Sequence, residues 1–391
     1  SARAMNVSWQ RPKDGRISTL VCAPESDLVE PWNDLVARLD SNVFMHPAAL
    51  LAARETGFAR IHVLLAWDEE IRPRRLVGFW ALRERRDLPL MPAFLEALPY
   101  DYAFSSNAMI AHDRVDGIVA AFFDAIRRDS RLPKIVSLVS FEADPIVYPA
   151  MLRHLAGTGR YCEFFRAERP FMELSSGAKK STSIRKKWRQ LSAAGAVEIV
   201  NDRSPAEAEA AFEIFLKLEA ASWKGEEGTA LLCDAADARF SRRLIHNLAA
   251  CGLASVALLR VDGDAIAAQV LLYSGRRAYT WKTAFDAAFA RFSPGVLVAD
   301  RAIQNLLESG QVATIDSCSF AGGFMAQLLT ARRTLVDALI DVRQRNPLVF
   351  AMTVAQHQGR HLLHRMRGGT RHMLLRWRAA ARMAPMASGK T

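Results

Sequence analysis

The sequence predicts a mixed α/β fold made of two halves and followed by a short basic helical segment. Strand-like runs such as RIHVLLAW (60–67) and KIVSLVSF (134–141) alternate with segments whose apolar residues recur at helical spacing, which is typical of a sheet flanked by helices. The 391 residues exceed what one hydrophobic core usually supports. We therefore expect three parts, at residues 1–174, 175–346 and 347–391.

The composition excludes several classes of protein. No apolar run approaches the ~18 residues of a membrane span, and the amino end has no hydrophobic signal region. The five cysteines form no CxxC pair, so neither a zinc ribbon nor a disulfide framework is indicated. The net charge of +11 favours an anionic partner such as a nucleotide, RNA or an acidic membrane surface. We expect a soluble cytoplasmic protein, with peripheral contact at the inner face of the membrane as an option.

A basic amphipathic helix is predicted at the start of the second half. In SSGAKKSTSIRKKWRQLSAAG (175–195), Ile184, Trp188 and Leu191 fall on one face, Lys and Arg cover the rest, and Gly195 ends the helix. Two interpretations stay open. Either the charges are merely solvated while Trp188 packs inward, or they form an anion-binding face.

The second half continues with two helices and a β-meander. The helix beginning at SPAE (204–207) has a capping box with Ser204 as the cap, and ARFSRRLIHNLAACG (238–252) forms the next helix. LASVALLRV, AIAAQVLLYS and AYTWKTAF then predict three antiparallel strands joined by short turns. After one more helix, VATIDSC (312–318) is expected to lie parallel to the last of these strands, because strand-helix-strand units are usually parallel crossovers.

The loop before that last helix carries the tripeptide Ser293-Pro294-Gly295. The helix that follows presents unpaired amides and the positive end of its dipole. Ser293 is expected to cap the helix, Pro294 costs no hydrogen bond there, and Gly295 permits a close approach of a ligand to the backbone. The loop therefore predicts a phosphate site, although the same tripeptide also begins helices for stability alone.

Three separated motifs, occurring in order, resemble one family. The stretches IRKKWRQLSAAG, FLKLEAASWKGEEGTAL and WKTAFDAAFARFSPGVLV resemble the acetyltransferase domain of bacterial proteins of the cellulose-biosynthesis CelD type, which belongs to the GNAT superfamily and is distantly similar to Fem-type peptidoglycan aminoacyltransferases. The resemblance covers residues 175–320. SNVFMHPAALLAA and LVGFWALRERR resemble the family's amino-terminal half more loosely, which implies tandem GNAT-like folds with a degenerate first half and an active second half. The family's tyrosine-lysine pair after a glycine is missing from SFAGGFMAQLL, although Asp316 is present.

The resemblance implies an N-acyltransferase that uses acetyl-CoA or another acyl-CoA as co-substrate and needs no metal. Positioning, proton acceptance and oxyanion stabilisation by backbone amides can supply the rate acceleration, so no protein nucleophile is required. The resemblance places the cofactor phosphates at Phe292, Ser293, Pro294, Gly295 and Val296.

Three residues are candidates for catalysis because they match the family's motifs. Asp286 would accept the proton of the amine, Lys282 would hold an anion of the cofactor or acceptor, and Glu219, matched together with Trp223 and Lys224, is a second candidate base. An alternative stays open in which Lys282 and Asp286 merely pair with each other and order the loop.

The last part of the chain predicts a surface-binding segment. In QGRHLLHRMRGGTRHMLLRWRAAARMA (358–384), Leu, Met and Trp are interleaved with Arg, so this segment would contact an acidic membrane, contact RNA, or pack against the body. His357, His361 and His364 have the spacing of a helical metal face, but no carboxylate lies near them in sequence, and no metal site is predicted.

Three functions are compatible with these observations. The first is acyl transfer from acyl-CoA to an amine such as an amino sugar, in envelope or exopolysaccharide metabolism. The second is a Fem-like aminoacyl transfer from charged tRNA, with the basic helix at 183–194 as the binding surface. The third is a protein that binds acidic lipid or RNA without catalysis.

Overall fold

The structure, a computed structural model, describes residues 8–10, 17–39, 42–173, 181–319, 322–343 and 347–366. The first half has the strands β1 (Ser8–Gln10), β2 (Ile17–Cys22), β3 (Ile61–Asp68), β4 (Arg75–Arg85), β5 (Phe94–Glu96), β6 (Met109–Ile110), β7 (Ile135–Glu142) and β8 (Arg160–Glu173). Its helices are α1 (Val29–Val36), α2 (Pro47–Glu55), α3 (Val115–Arg128) and α4 (Val147–Thr158).

The second half has the strands β9 (Val197–Val200), β10 (Ala254–Val261), β11 (Asp264–Ser274), β12 (Arg277–Phe285), β13 (Thr314–Asp316) and β14 (Ala331–Asp341). Its helices are α5 (Thr182–Ser192), α6 (Pro205–Ala220), α7 (Trp223–Glu226), α8 (Ala235–Ala250), α9 (Pro294–Ser309), α10 (Met325–Leu328) and α11 (Pro347–Met366).

All these strands join one sheet that contains the same topology twice. The strand order is β1-β2-β3-β4-β5-β7-β14-β8-β13-β12-β11-β10-β9, with β6 beside β4. In each half, antiparallel strands lead to one parallel pair, β5 with β7 and β12 with β13. A register shift also occurs in the corresponding hairpin of each half, β3–β4 and β10–β11. The mixed α/β class and the tandem arrangement are confirmed.

The two halves exchange their last strands at the centre of the sheet. β14 pairs antiparallel with β7 of the first half, and β8 pairs antiparallel with β13 of the second half. β8 and β14 also pair with each other, from Ala331 opposite Phe171 to Asp341 opposite Arg160. The predicted boundary at 174/175 lies outside the described residues and stays a prediction.

One apolar core extends across both halves, and a second lies under the second half together with Met172 of β8. In the first, Phe44 of the first half meets Tyr279 with ring centroids 5.3 Å apart, and Phe58 stacks on Phe240 at 4.0 Å. The second core lies between the sheet, α5 and α9 and buries Ile184. The amphipathic character predicted for α5 is thereby confirmed, because its apolar face packs inward.

The elements of the second half begin and end close to where the sequence predicts them, but the cap predicted for α6 is wrong. α6 begins at Pro205 as expected, yet the Ser204 side chain makes no capping hydrogen bond. Instead, the backbone N–H of Ser204 donates to Asp202 Oδ1 at 2.7 Å, which forms a turn ahead of the helix. α8 begins three residues earlier than predicted, because Asp234 caps it by accepting the N–H of Ala236 at 2.7 Å. β13 is parallel to β12 as expected.

None of the helices in the described ranges is both long enough and apolar enough to span a bilayer.

Candidate functional site

The candidate site lies where the parallel pair β12–β13 comes apart. The pairing covers three positions, from Arg277 opposite Thr314 to Tyr279 opposite Asp316. β12 continues to Phe285, so its second half has no strand partner on that edge among the residues described. An unpaired strand edge offers backbone N–H and C=O groups to a ligand.

A bulge distorts β12 at the same point. The register against β11 shifts between Val270 and Leu271, which leaves Trp281 as the extra residue. The side-chain amide of Gln269 holds the distorted segment by donating to the C=O of Lys282 at 3.1 Å. Bulges re-aim side chains next to active sites, and here Trp281 enters the core while Lys282 turns toward α6.

Glu219, Lys224 and Lys282 form a buried group that we call the lysine–carboxylate cluster. Glu219 Oε1 lies 3.3 Å from Lys224 Nζ and 3.4 Å from Lys282 Nζ, and Oε2 accepts the N–H of Leu231 at 3.0 Å. The Glu219 side chain is 0% exposed. Two sequence motifs, EAASWK on α6–α7 and WKTAF on β12, therefore meet around one carboxylate, with two ammonium groups against a single negative charge.

The electrostatics of this cluster favour binding of a negative charge. Burial alone would raise the pKa of Glu219, but Lys282, Lys224 and the Leu231 N–H outweigh it and hold that pKa below its ordinary value. Burial and the neighbouring Lys282 charge lower the pKa of Lys224. Glu219 is therefore ionised at neutral pH, and its geometry fits the holding of two lysines better than proton abstraction.

A loop of the first half, residues 97–108, closes the cluster from the other side. The ring of Tyr102 lies 5.0 Å from Lys282 Nζ, its C=O accepts from Trp281 Nε1 at 2.9 Å, and its hydroxyl donates to Asp237 Oδ2 at 2.5 Å. Tyr102 has a left-handed backbone (φ 74°), which is rare for an aromatic residue. The site is thus built by both halves. Sequence reasoning missed Tyr102, because no local motif marks it.

Three arginines lie near the point where β12 and β13 come apart. We call Arg169, Arg277 and Arg333 the arginine cluster. Arg169 of β8 stands directly opposite Arg333 of β14, and Arg277 begins β12. Residues opposite each other in adjacent strands point to the same face, so the strand exchange brings Arg169 and Arg333 together. Burial and then the Arg277 charge lower the pKa of Arg333. Sequence reasoning missed this cluster also.

Arg169 has more donors than the described residues supply acceptors for. Arg333 Nη1 pairs with Glu142 Oε2 at 2.8 Å, and Arg169 Nη1 donates to the C=O of Phe104 at 2.6 Å and lies 3.7 Å from Asp316 Oδ1. Nε and Nη2 of Arg169 are buried and have no hydrogen-bond partner in the part of the chain that is described. Buried guanidinium groups with unmet donors suit a carboxylate or a phosphate.

The predicted phosphate loop takes a tighter form than the sequence suggested. Ser293 is left-handed (φ 55°, ψ 52°), and its side chain does not cap α9, so that prediction is wrong. Its C=O instead accepts the N–H groups of Val296 and Leu297 at 3.0 and 3.2 Å, which leaves the Gly295 N–H at the open end of the helix. Pro294 and Gly295 are buried against β12, where a Cβ on Gly295 would lie 3.2 Å from the Phe285 ring. A side chain at this position would need the Phe285 ring to move by a few tenths of an ångström, so glycine favours close helix–strand packing here.

Asp286 and Lys282 do not form the pair that the sequence left open. Asp286 Oδ1 accepts the N–H of Ala288 at 2.9 Å and caps the helical turn Ala287–Phe292, whereas Lys282 pairs with Glu219. Asp286 directly follows the end of β12 and precedes the phosphate loop in the chain. Phe292 is buried beneath that loop.

The basic helix α5 lies beside the phosphate loop. Lys187 Nζ donates to the C=O of Arg291, and the Arg291 guanidinium lies 4.6 Å over the Phe292 ring. Arg185 and Lys186 stay exposed on the outer face. Both interpretations of this helix are therefore compatible with the structure, since one face packs inward while the other presents charge next to the loop.

Three further reactive side chains, one cysteine and two histidines, lie in surroundings typical of structural residues. Cys318 is buried, His246 lies 3.0 Å from Glu209 on the surface, and His357 is buried near Ser137. Trp223, which stands in the same family motif as Glu219, is 43% exposed. No group of three His, Cys, Asp or Glu side chains that could hold a metal ion occurs in the described ranges.

Comparison with known proteins finds a family model and several solved structures that are similar to the chain. Residues 178–322 match the family described as Acetyltransferase (GNAT) domain. No curated protein matches the sequence. Among solved structures, the chain is similar to FemX, with a TM-score of 0.56 and 12% identity over 81% of this chain and 96% of that chain.

Two further solved structures cover most of the chain. The C-terminal domain (DUF2156) of a putative lysylphosphatidylglycerol synthetase from Agrobacterium fabrum has a TM-score of 0.53 and 13% identity over 88% of this chain and 99% of that chain. L-PGS from Bacillus licheniformis has a TM-score of 0.52 and 11% identity over 86% and 97%. At these identities the likeness establishes the fold alone.

Proposed function

We propose that the chain is an N-acyltransferase that moves an acyl group, in the first instance acetyl, from acyl-CoA to an amine, because residues 178–322 match the acetyltransferase (GNAT) domain family. The observation that carries the proposal is the bulged, unpaired edge of β12, which runs from the lysine–carboxylate cluster to the phosphate loop. An acyl-CoA has its phosphates and its reacting carbonyl at two ends of an extended arm. The edge lies between the phosphate loop, which suits the phosphates, and the lysine–carboxylate cluster, which suits the reacting carbonyl.

The phosphate end of the donor would lie at Ser293–Val296. The Gly295 N–H, the positive end of the α9 dipole and the nearby Lys187 and Arg291 supply the attraction. The extended arm of the donor would hydrogen-bond to the edge between Thr280 and Phe285.

The chemistry requires no covalent enzyme intermediate. The acceptor binds as its ammonium ion and gives one proton to Asp286, directly or through water. The resulting neutral amine attacks the thioester carbonyl, and a C–N bond forms while the C–S bond breaks. The second N–H proton leaves with the CoA thiol. Lys282 and the β12 amides would stabilise the negative charge on the carbonyl oxygen. Glu219 is then a positioning residue that holds Lys282 and Lys224.

The acceptor we propose is an amino sugar or a related amine of envelope or exopolysaccharide metabolism. The arginine cluster supports an acceptor that carries a carboxylate or phosphate as well as the amine, because Arg169 has unmet donors near the point where β12 and β13 come apart.

Ser293→Asp is expected to abolish acetyl-CoA binding without weakening the fold. The positive end of the α9 dipole stabilises a carboxylate at this position, and Asp tolerates the left-handed backbone. The same carboxylate repels a pyrophosphate. Thermal unfolding with and without acetyl-CoA measures this. A ligand at about 100 times its Kd raises stability by ~2.7 kcal/mol.

Ser293→Asn is the matched neutral control and should retain the shift in melting temperature that acetyl-CoA produces. If acetyl-CoA raised the melting temperature of the Asp and Asn variants equally, the phosphate loop would not be the site of the cofactor phosphates. Absence of a shift with any acyl-CoA in the native protein would reject acyl-CoA as the donor.

Aminoacyl transfer from charged tRNA is the second candidate, favoured by the exposed basic face of α5. Changing Arg185, Lys186 and Arg189 to Ala should lower the slope of log affinity for tRNA against log salt by about two to three, since each lost phosphate contact contributes ~0.9. Filter binding between 50 and 300 mM salt measures the slope. An unchanged slope, or no tRNA binding by the native protein, rejects this candidate.

A further inference from the structure

The outer side of α11 is apolar where a surface helix is normally polar. Its inner side packs Phe350 and His357 against the first half, with the His357 ring 5.1 Å from that of Phe94. The exposed positions between 347 and 359 carry no charged side chain, and among them Leu348 is 71% and Met352 39% exposed. A helix that is apolar on both sides is expected to be covered on both sides.

A second exposed apolar feature lies next to this helix. The loop between β4 and β5 presents Leu88 and, at 96% exposure, Leu90. Asp87 at the base of this loop forms an ion pair with Arg360 and accepts from Gln356 Nε2 at 3.3 Å, so the loop is fastened to α11. Leu90 and the outer stripe of α11 therefore belong to one region of the surface.

The charge of the chain is concentrated in the same segment. Residues 342–391, which include α11, contain ten Lys and Arg and neither Asp nor Glu, against a net charge of +11 for the whole chain. The rest of the protein is therefore close to neutral. Met, Leu and Trp are interleaved with these charges after residue 360.

We propose that this surface, defined by Leu88, Leu90, Leu348 and Met352 and followed by the basic carboxyl-terminal segment, docks the protein on an anionic lipid bilayer. A bilayer supplies both an apolar layer for the exposed side chains and negative headgroups for the basic residues. A second copy of the chain would oppose ten positive charges with ten more. A nucleic acid would leave the apolar stripe uncovered. The docking is independent of the acyl-transfer proposal.

Flotation of the full-length protein with vesicles tests this docking. Binding to vesicles of phosphatidylcholine with about one third phosphatidylglycerol is expected at 50 mM salt, with at least tenfold weaker binding to pure phosphatidylcholine and release at 500 mM salt. Leu348→Asp combined with Met352→Asp should weaken binding at least tenfold, and Leu90→Asp should weaken it in the same direction. These positions are exposed, so thermal unfolding and the acetyl-CoA response should be unchanged.

Val200→Asp is the matched control, because Val200 is equally exposed (39%) and lies on β9 at the far edge of the sheet. It should bind like the native protein. Native protein that does not float, that floats equally with neutral vesicles, or that keeps its binding when Leu348 and Met352 are changed would overturn the proposal. Salt-sensitive binding of RNA that persists when Arg185, Lys186 and Arg189 are changed to Ala, without binding to vesicles, would identify a nucleic acid as the partner instead. A dimer in light scattering that the double variant loses would identify a second copy.

Discussion

Lys282→Met is expected to lower kcat/KM for acyl transfer by two to three orders of magnitude while the protein stays folded. Met has the length of Lys without its charge, so the carbonyl oxygen loses a cation in a site where removal of one such donor costs about 10²–10³. Glu219 keeps Lys224 at 3.3 Å and the Leu231 N–H at 3.0 Å, so no buried carboxylate is left unpaired. The measurement is release of CoA thiol with a panel of amines, beside calorimetric binding of acetyl-CoA.

Separate measurements of acetyl-CoA affinity and of kcat identify the role of Lys282. Acetyl-CoA affinity should change little, and the loss should appear in kcat. Lys282→Arg should recover part of the rate, because the positive charge returns with a different geometry. Full turnover by Lys282→Met would show that the lysine–carboxylate cluster is structural and would transfer the oxyanion role to the backbone edge alone.

Glu219→Leu is expected to destabilise the fold by about 3–5 kcal/mol. Removal of one partner from a buried ion cluster leaves uncompensated charge, here two ammonium groups, together with an unsatisfied Leu231 N–H. Urea unfolding at pH 7 measures the effect. The matched control is the triple variant in which Lys224 and Lys282 also become Met, which should recover most of the loss because no buried charge remains. A triple variant as unstable as Glu219→Leu would assign the loss to packing.

The pH dependence of these variants follows from the direction of each pKa shift. In the native protein the pKa of Glu219 is held below its ordinary 4.5, so its contribution to stability is present above that pH and is lost as pH falls through the folded-state pKa. In Glu219→Leu, Lys224 loses its counter-charge, and its folded-state pKa falls further below the unfolded one. The unfolded state then binds more protons, so the stability of the variant should rise from pH 7 toward pH 10 and approach that of the triple variant.

The sequence predicted the elements of the second half well because local patterns determine them. The alternation in ASVALLRV and AIAAQVLLYS, and the Pro at the start of α6 and α9, depend on near neighbours. The caps at Ser204 and Ser293 were wrong because Asp202 accepts the N–H of Ser204 in one case and the Ser293 carbonyl accepts the N–H of Val296 in the other. Local pattern cannot decide between such alternatives.

The contacts that complete the site could not be predicted because they depend on strand exchange and on a loop from the other half. Arg169 and Arg333 are far apart in the chain and become neighbours only when β8 pairs with β14. Tyr102 reaches Trp281 only because the loop at 97–108 packs on β12. The meeting of Glu219 with Lys282 was anticipated only to the extent that both stood in family motifs, and its geometry came from the bulge at Trp281.

The exchanged strands also bear on the order in which the protein can be completed during translation. β7 pairs with β5 on one side and with β14 on the other. Because β14 is among the last strands that the ribosome produces, the second edge of β7 stays open until residues 331–341 have emerged. An open edge of this kind is available to any other extended chain. A nascent chain stalled before residue 331 should therefore be a better chaperone substrate than the finished protein. The first half should also gain protease resistance only after the second half has been synthesised.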